Sequence, residues 1–370
     1  MEPISESWGC CLPRLRCGTV LILSPEKIAS EIVKGDVLLD EVVLHGVNPQ
    51  GVIDIIKARR ARGSQCDEIS DGRKLALVIE GGALRAISSA GGAYVLAELG
   101  LSDVFDEVYA TSAGVMNASY FISGQPLLGI SVYFENCTSR KFINPFRFWK
   151  ILDVDYIFDQ VVPNEKPLDV ARVLGTRTRL YVAVIDSSSG EAFVVDTKKT
   201  RTPLVQVLKA ANAIPVYYNR TVAVDGRPCI DGGIGIPFPL AQALENGCTD
   251  VLVLSTKPVS YVSQQPSWKN RMIFNMIFAQ GNEVMSRVFN DRHLRSREAR
   301  NLALGRLATP QNVSIATVCT EGIENIDRLT TNRTVLYDAA VSYGRKVLRI
   351  FGEDANSWTL PDSLLRSSPG

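Results

Sequence analysis

Between residues 74 and 254 the chain alternates short, wholly apolar runs with stretches whose apolar positions recur every three or four residues. Leu75-Ala76-Leu77-Val78-Ile79 is apolar at every position, as in a strand buried on both faces. Glu80-Gly81-Gly82-Ala83-Leu84-Arg85 then turns the chain into a helix predicted over 86–99, with Gly100 as its stop. A short strand around Val108 runs into Thr111-Ser112-Ala113-Gly114, and a helix over 113–122 follows before Gly124. Strand, glycine turn, helix, strand, serine turn, helix is a βαβα run. It predicts an α/β fold with a mainly parallel sheet covered by helices.

Further on, residues 180–185 and 192–195 flank Ser187-Ser188-Ser189-Gly190 as a hairpin. A helix over 204–213 stops before Pro215. Val222-Ala223-Val224 and Pro228-Cys229-Ile230 pair around Asp225-Gly226, a strong hairpin turn, and lead straight into Asp231-Gly232-Gly233. A helix over 239–246, strands at 251–254 and 314–319 and a closing helix over 334–351 complete the pattern. Residues 1–71 read as an extension outside the sheet, with one helix that starts at Asn48-Pro49 and stops at Gly63. Residues 72–352 form the organised domain, and 353–370 a polar, frayed tail.

Composition narrows the field without deciding it. A chain of 370 residues, 46% hydrophobic and 21% charged, is long enough for a sizeable core. A net charge of +1 offers no general attraction to nucleic acid, so no nucleic-acid partner is expected. Phe142, Phe146, Phe148 and Trp149 alternate with cations, but Asp153, Asp155 and Asp159 beside them fit a cap over the site or plain packing better. No apolar run reaches the length of a spanning helix, and the start is no secretory signal, so a cytoplasmic protein is expected. The eight cysteines form no Cys-x-x-Cys pair and fit free thiols; Cys10 and Cys11 follow no myristoylation signature. The cations of residues 57–62 complement the dipole at a helix end, and the apolar residues of 272–274 and 276–278 fit core packing; a membrane-facing surface is the alternative for both, so peripheral membrane contact stays open.

The chemistry centres on Ser112. Small residues two before and two after it, Ala110 and Gly114, suit a sharp strand-to-helix turn that exposes a serine. Alone, the string also fits an ordinary junction. A nucleophilic serine needs a base, donors for an oxyanion and a pocket. The chain has two histidines: His45 precedes the main sheet, and His293 lies in a charged helical stretch. Asp231 is the better candidate base, ending a strand with Gly232 and Gly233 leaving its carboxylate unobstructed. Burial would raise its pKa toward that of a useful base. The glycine turn at 80–85 presents unpaired N–H groups at a helix start, an anion site.

These three pieces in this order, with Arg85 just past the glycines, resemble the patatin-like phospholipase family. That family carries Gly-Gly-Gly-x-Arg-Gly, Gly-x-Ser-x-Gly and Asp-Gly-Gly/Ala, and works by a serine–aspartate dyad without histidine. The resemblance runs from about Lys74 to Leu254, including residues 118–125 and Lys166-Pro167-Leu168-Asp169, and continues more weakly over 329–344. Residues 48–72 resemble the lead-in of some bacterial members. It implies a three-layer α/β/α sandwich and a lipid acyl hydrolase acting on a lipid or ester substrate with no metal or organic cofactor. Ser112 would be the nucleophile and Asp231 the base. Gly81, Gly82, Ala83 and Leu84 would surround the oxyanion, with Arg85 nearby. Ala83, Ala86 and Ala110 stand where the family carries glycine. Two other readings therefore stay open: a weak or silent lipid- or protein-binding homologue, and an acyltransferase or thioesterase using the same dyad.

Overall fold

All five side chains of Leu75–Ile79 are buried, and they divide by parity. Leu75, Leu77 and Ile79 enter one core, and Ala76 and Val78 a second core on the opposite face. The computed structural model describes residues 37–39, 42–63, 71–147, 150–323 and 325–366. The expectations for Cys10, Cys11, Cys17, Cys66, Phe148 and Trp149 lie outside them.

Ten strands form one sheet. They are β1 (Val37–Leu39), β2 (Val42–Val47), β3 (Leu75–Ile79), β4 (Glu107–Ala110), β5 (Arg179–Asp186), β6 (Ala192–Asp196), β7 (Val222–Val224), β8 (Arg227–Asp231), β9 (Asp250–Leu254) and β10 (Ser314–Val318). Their order is β1-β2-β10-β9-β3-β4-β5-β8-β7, with β6 also paired to β5. The five from β10 to β5 are parallel, and the rest join antiparallel. Around them lie α1 (Pro49–Arg62), α2 (Ile87–Glu98), α3 (Gly114–Ile122), α4 (Leu204–Ala211), α5 (Leu240–Glu245), α6 (Trp268–Phe274), α7 (Arg292–Ala303) and α8 (Arg333–Phe351). Residues of α2, α3, α4 and α8 fill the first core, and residues of α5 and α7 the second. The result is the mixed α/β architecture expected from the sequence, with helices on both faces of the sheet.

The register around β5 sets the geometry of everything that follows. Val182 pairs with Ala110 of β4 and with Val195 of β6; two residues on, Val184 pairs with Asp231 of β8 and with Phe193 of β6. β6 therefore occupies one edge of β5, while β4 and β8 share the other, end to end. Ser112 lies two residues past Ala110, so the ladder brings it level with Asp231.

Four expectations are corrected. The N-terminal stretch is not outside the sheet: β2 pairs antiparallel with β10, and a Cβ at Gly46 would lie 2.0 Å from the Ile315 carbonyl oxygen. The cations at the end of α1 are not all free for a surface. Arg59 is 3% exposed, and it pairs with Asp71 at 2.8 Å and Asp106 at 2.7 Å. Its Nη1 also donates to the Val104 carbonyl and its Nη2 to that of Arg73. The tail is not frayed through residue 366, because Ala355, Leu360 and Leu364 are buried and Trp358 packs on Tyr94. Around α6, Phe274 is core as expected, but Trp268, Met272 and Met276 are exposed.

Arg59→Ala would strip a buried, multiply bonded cation from two carboxylates. We expect a loss of about 3 kcal/mol in urea unfolding, against less than about 0.5 for the exposed neighbour Arg62→Ala.

Candidate active site

β4 is buried at all four positions and delivers a turn at Ser112, whose φ of 52° is left-handed. Such a conformation costs a non-glycine residue energy and persists where the surroundings fix it. Here α3 fixes it: a Cβ at Gly114 would lie 2.6 Å from the Ile79 carbonyl oxygen, so α3 starts against the backbone of β3. The Ser112 hydroxyl donates to Asp231 Oδ2 at 2.6 Å. The other carboxylate oxygen, Oδ1, accepts the Gly233 N–H at 2.7 Å. A Cβ at Gly232 would meet the Ala183 carbonyl at 2.4 Å, so only glycine lets β8 close on β5 there. Burial pushes the Asp231 carboxyl up to about 6, against the lowering by Ser112, Gly233 and Arg328. That suits a group that must take a proton near neutral pH.

The glycine turn lies against the serine. A Cβ at Gly81 would come within 2.4 Å of the Thr111 carbonyl oxygen and 2.6 Å of Ser112 Cβ. Gly82 has φ 154° and Ala83 φ 51°, and the N–H groups of Gly81, Gly82 and Ala83 make no backbone hydrogen bond. One expectation falls here. The Leu84 N–H donates to the Arg328 carbonyl at 3.2 Å and is not available to an oxyanion. The Ala113 N–H, overlooked in the sequence, makes no backbone hydrogen bond and lies 3.1 Å from the position a Gly81 Cβ would take.

Behind the turn sits an ion cluster that the sequence did not reveal. Glu80 is 2% exposed; it pairs with Lys257 Nζ at 2.7 Å and accepts from Ser255 Oγ and the Thr256 N–H. Burial would raise its carboxyl, but Lys257, Arg300 and Arg85 hold it at about 2. The cluster pins the end of β3 to the chain after β9. Thr256 Oγ1 also donates to the Gly81 carbonyl at 2.8 Å, which fixes the first residue of the turn.

Ser112, Asp231, Gly81, Gly82, Ala83, Arg85, Thr111 and Gly233 all line one cleft of about 430 Å³. A narrow apolar slot adjoins it, sharing Ala83, Leu152, Ile214 and Arg328 and continuing past Met116, Tyr133 and Phe158. Neither histidine lines the cleft. His45 sits in β2 opposite Thr317, and His293 Nδ1 lies 3.0 Å from the Asn290 carbonyl.

The sequence model of the patatin-like phospholipase family matches residues 77–244. A curated protein of Escherichia coli (strain K12), Uncharacterized protein YjjU, is 31% identical over 208 residues, 54% of this chain and 56% of that protein. The chain thus spans just over half the length of the curated relative it matches. The crystal structure of VipD from Legionella pneumophila aligns with a TM-score of 0.41 and 13% identity, over 76% of this chain and 66% of VipD.

The stretch matched by the family model contains Ser112, Asp231 and the glycine turn, whereas Lys257, Arg292, Arg300 and Arg328 come from beyond it. Within the matched stretch, the alanine at 83 takes the left-handed conformation that glycine favours. Ala83→Gly should relieve about 1–2 kcal/mol of strain, offset by about 0.5–1 kcal/mol of chain entropy. We expect a small net rise in melting temperature, measured by thermal unfolding.

Proposed function

We propose that this protein is a lipid acyl hydrolase that works through a Ser112–Asp231 dyad and an acyl-enzyme. The observation that carries the reading is the 2.6 Å hydrogen bond from Ser112 to a buried Asp231, beside backbone N–H groups left without acceptors. Asp231 takes the hydroxyl proton as Ser112 Oγ attacks the ester carbonyl. The carbonyl oxygen becomes an oxyanion, received by the N–H groups of Gly81, Gly82, Ala83 and Ala113, which make no backbone hydrogen bond. Each such donor is typically worth about 2.7–4 kcal/mol of barrier. On collapse the C–O bond to the alcohol breaks, and the proton held by Asp231 passes to the leaving oxygen. Water then attacks the acyl-Ser112 ester, again giving its proton to Asp231, and the fatty acid leaves as Oγ is reprotonated. Every proton is accounted for by one carboxylate.

The adjoining apolar slot suits an acyl chain. Peripheral contact with a lipid surface belongs to the same reading. Trp268, Met272 and Met276 are exposed around α6, while Asn270 and Ile273 of the same helix line the cleft. No described helix is long and apolar enough to cross a membrane.

A fluorophosphonate ester tests the scheme directly. Ser112 should be the residue labelled, and Asp231→Asn should suppress the labelling; a folded protein that labels elsewhere or not at all would refute it. The pH dependence has a fixed sign. Asp231 must be ionised to act as a base, and burial holds its carboxyl at about 6. Hydrolysis should therefore fall about tenfold per pH unit below 6 and level off above it. A rate flat from pH 5 to 7 would exclude Asp231 as the base.

A further inference from the structure

The glycine turn contains a peptide that is free to turn over. Between Gly81 and Gly82 neither neighbour carries a Cβ, so the peptide plane meets little steric resistance to a flip. A flip would exchange its two polar groups. The Gly82 N–H would leave the cleft and the Gly81 carbonyl would point into it, where it would repel a developing oxyanion. The direction of this one peptide therefore decides whether the turn stabilises negative charge or opposes it.

Thr256, two residues past β9, sets that direction. Its Oγ1 donates to the Gly81 carbonyl at 2.8 Å. Thr256 is buried and does not itself line the cleft, whereas Gly81, Gly82 and Ala83 do. In a planar trans peptide the N–H points away from the carbonyl of the same plane. With the carbonyl drawn to Thr256, the Gly82 N–H is turned to the opposite side, and it makes no backbone hydrogen bond. The threonine is itself held from several directions. Its N–H donates to Glu80 Oε2 at 2.7 Å, and the preceding Ser255 N–H donates to the Val318 carbonyl of β10 at 2.9 Å. Lys257 Nζ holds the other Glu80 oxygen at 2.7 Å. Arg300 closes the cluster, donating from Nη1 to Ser255 Oγ at 3.3 Å and from Nη2 to the Pro258 carbonyl at 2.6 Å. The hydroxyl thus stands on the end of the central sheet. A hydrogen bond to the carbonyl also polarises the amide and strengthens its N–H as a donor.

We propose that Thr256 is a positioning residue for acyl transfer, whose hydroxyl latches the Gly81–Gly82 peptide so that the Gly82 N–H meets the oxyanion. The inference rests on the acyl-hydrolase reading above and adds a residue that lies beyond residues 77–244 and touches no substrate. Because the oxyanion exists only during reaction, the latch acts on the transition state and leaves binding of the intact ester alone.

The test uses the full chain and two ligands of the same length, an alkyl trifluoromethyl ketone and an alkyl ether that lacks the carbonyl. With the ketone, Ser112 Oγ bonds to the carbonyl carbon, its proton passes to Asp231, and the carbonyl oxygen takes the negative charge. Deleting an oxyanion donor costs about 100- to 1000-fold, so releasing one to flip should cost at least about tenfold. Thr256→Val keeps the shape and loses the hydroxyl. It should lower kcat/KM for a p-nitrophenyl ester and raise the ketone Ki by that factor, while the ether Ki stays within about twofold. Thr256→Ser, which keeps the hydroxyl, should recover most of both losses. Thr256→Ala makes the same comparison if the valine variant no longer unfolds cooperatively in urea. A ketone Ki unmoved by the loss of the hydroxyl would overturn the latch. So would an equal rise in both Ki values, which would mean a collapsed cleft, or a serine variant no better than valine. Fluorophosphonate labelling of the parent separates the two levels: an unlabelled Ser112 refutes the hydrolase reading, whereas a labelled Ser112 with an unmoved ketone Ki refutes only the latch.

Discussion

Ser112→Ala and Asp231→Asn should each lower ester turnover by at least about a thousandfold, and the double variant should be little worse than either one. In the proposed mechanism the two groups act as a unit, so removing the second finds almost nothing left to remove. The stability effects should run the other way for Asp231. Its carboxyl sits at about 6 in the folded protein against an ordinary 3.8, because burial disfavours the ionised form. A raised folded value means that this group's contribution is fully favourable below 3.8 and is lost as pH rises through 6. At pH 7 the ionised carboxylate therefore costs the fold an amount on the order of 3 kcal/mol. Asparagine keeps the shape and drops the charge. We expect Asp231→Asn to gain about 1–3 kcal/mol in urea unfolding at pH 7, and the gain to shrink toward pH 4. Unchanged or reduced stability at pH 7 would mean that the carboxylate is better solvated than its 4% exposure implies.

Gly81→Ala carries the second large effect. The added methyl would sit 2.4 Å from the Thr111 carbonyl oxygen and 2.6 Å from Ser112 Cβ, inside any tolerable contact. The carbonyl is backbone, and Ser112 is already held at φ 52°, so neither side yields cheaply. The turn and the serine must move apart. Displacing a reacting group by about an ångström typically costs about a hundredfold in rate. We expect a loss of that size or greater, together with slow fluorophosphonate labelling of Ser112. Gly175→Ala is the fair comparison, since a Cβ there meets nothing within 4 Å. It should leave turnover within about twofold of the parent. Equal activity in both variants would show that the turn does not abut the serine in solution.

The central fold was legible because its signal is local. Continuous apolar runs at β3, β5 and β9, each closed by glycine or a polar turn, leave little choice but buried parallel strands. β2 escaped notice because His45 and Gly46 interrupt its apolar run, and only contact with Ile315 explains the glycine. The ordered tail escaped for a similar reason. Trp358 and Leu360 are isolated apolar residues in a polar stretch and Leu364-Leu365 a lone pair, and their packing depends on the rest of the fold, as where Trp358 meets Tyr94 of α2. Ser112, Asp231 and Gly81 stood out because strained turns demand small residues around them. The cations of the cleft did not. Lys257, Arg292 and Arg328 lie in segments without a motif, and their place around the cleft is a property of tertiary folding alone. Leu84 shows the opposite failure: a motif names a backbone donor, but cannot say that a carbonyl from residue 328 already occupies it.

The shared edge of β5 has a consequence for how such a chain can vary over evolutionary time. Ala110 and Asp231 face Val182 and Val184 on one strand, so the spacing between serine and aspartate is counted out in peptide units rather than held by a loop. Insertion or deletion of one residue between 182 and 184 would move Asp231 by about 3.3 Å along the strand and turn its side chain to the other face of the sheet. Substitutions there can accumulate one by one, but a length change in this tripeptide is lost at a stroke. The Ser187–Glu191 hairpin loop, a few residues on, sets no register between the two, and lengthening it costs only its contacts with Asn282 and Val284. Related chains that retain the dyad should therefore show gaps in the hairpin and none across Val182-Ala183-Val184.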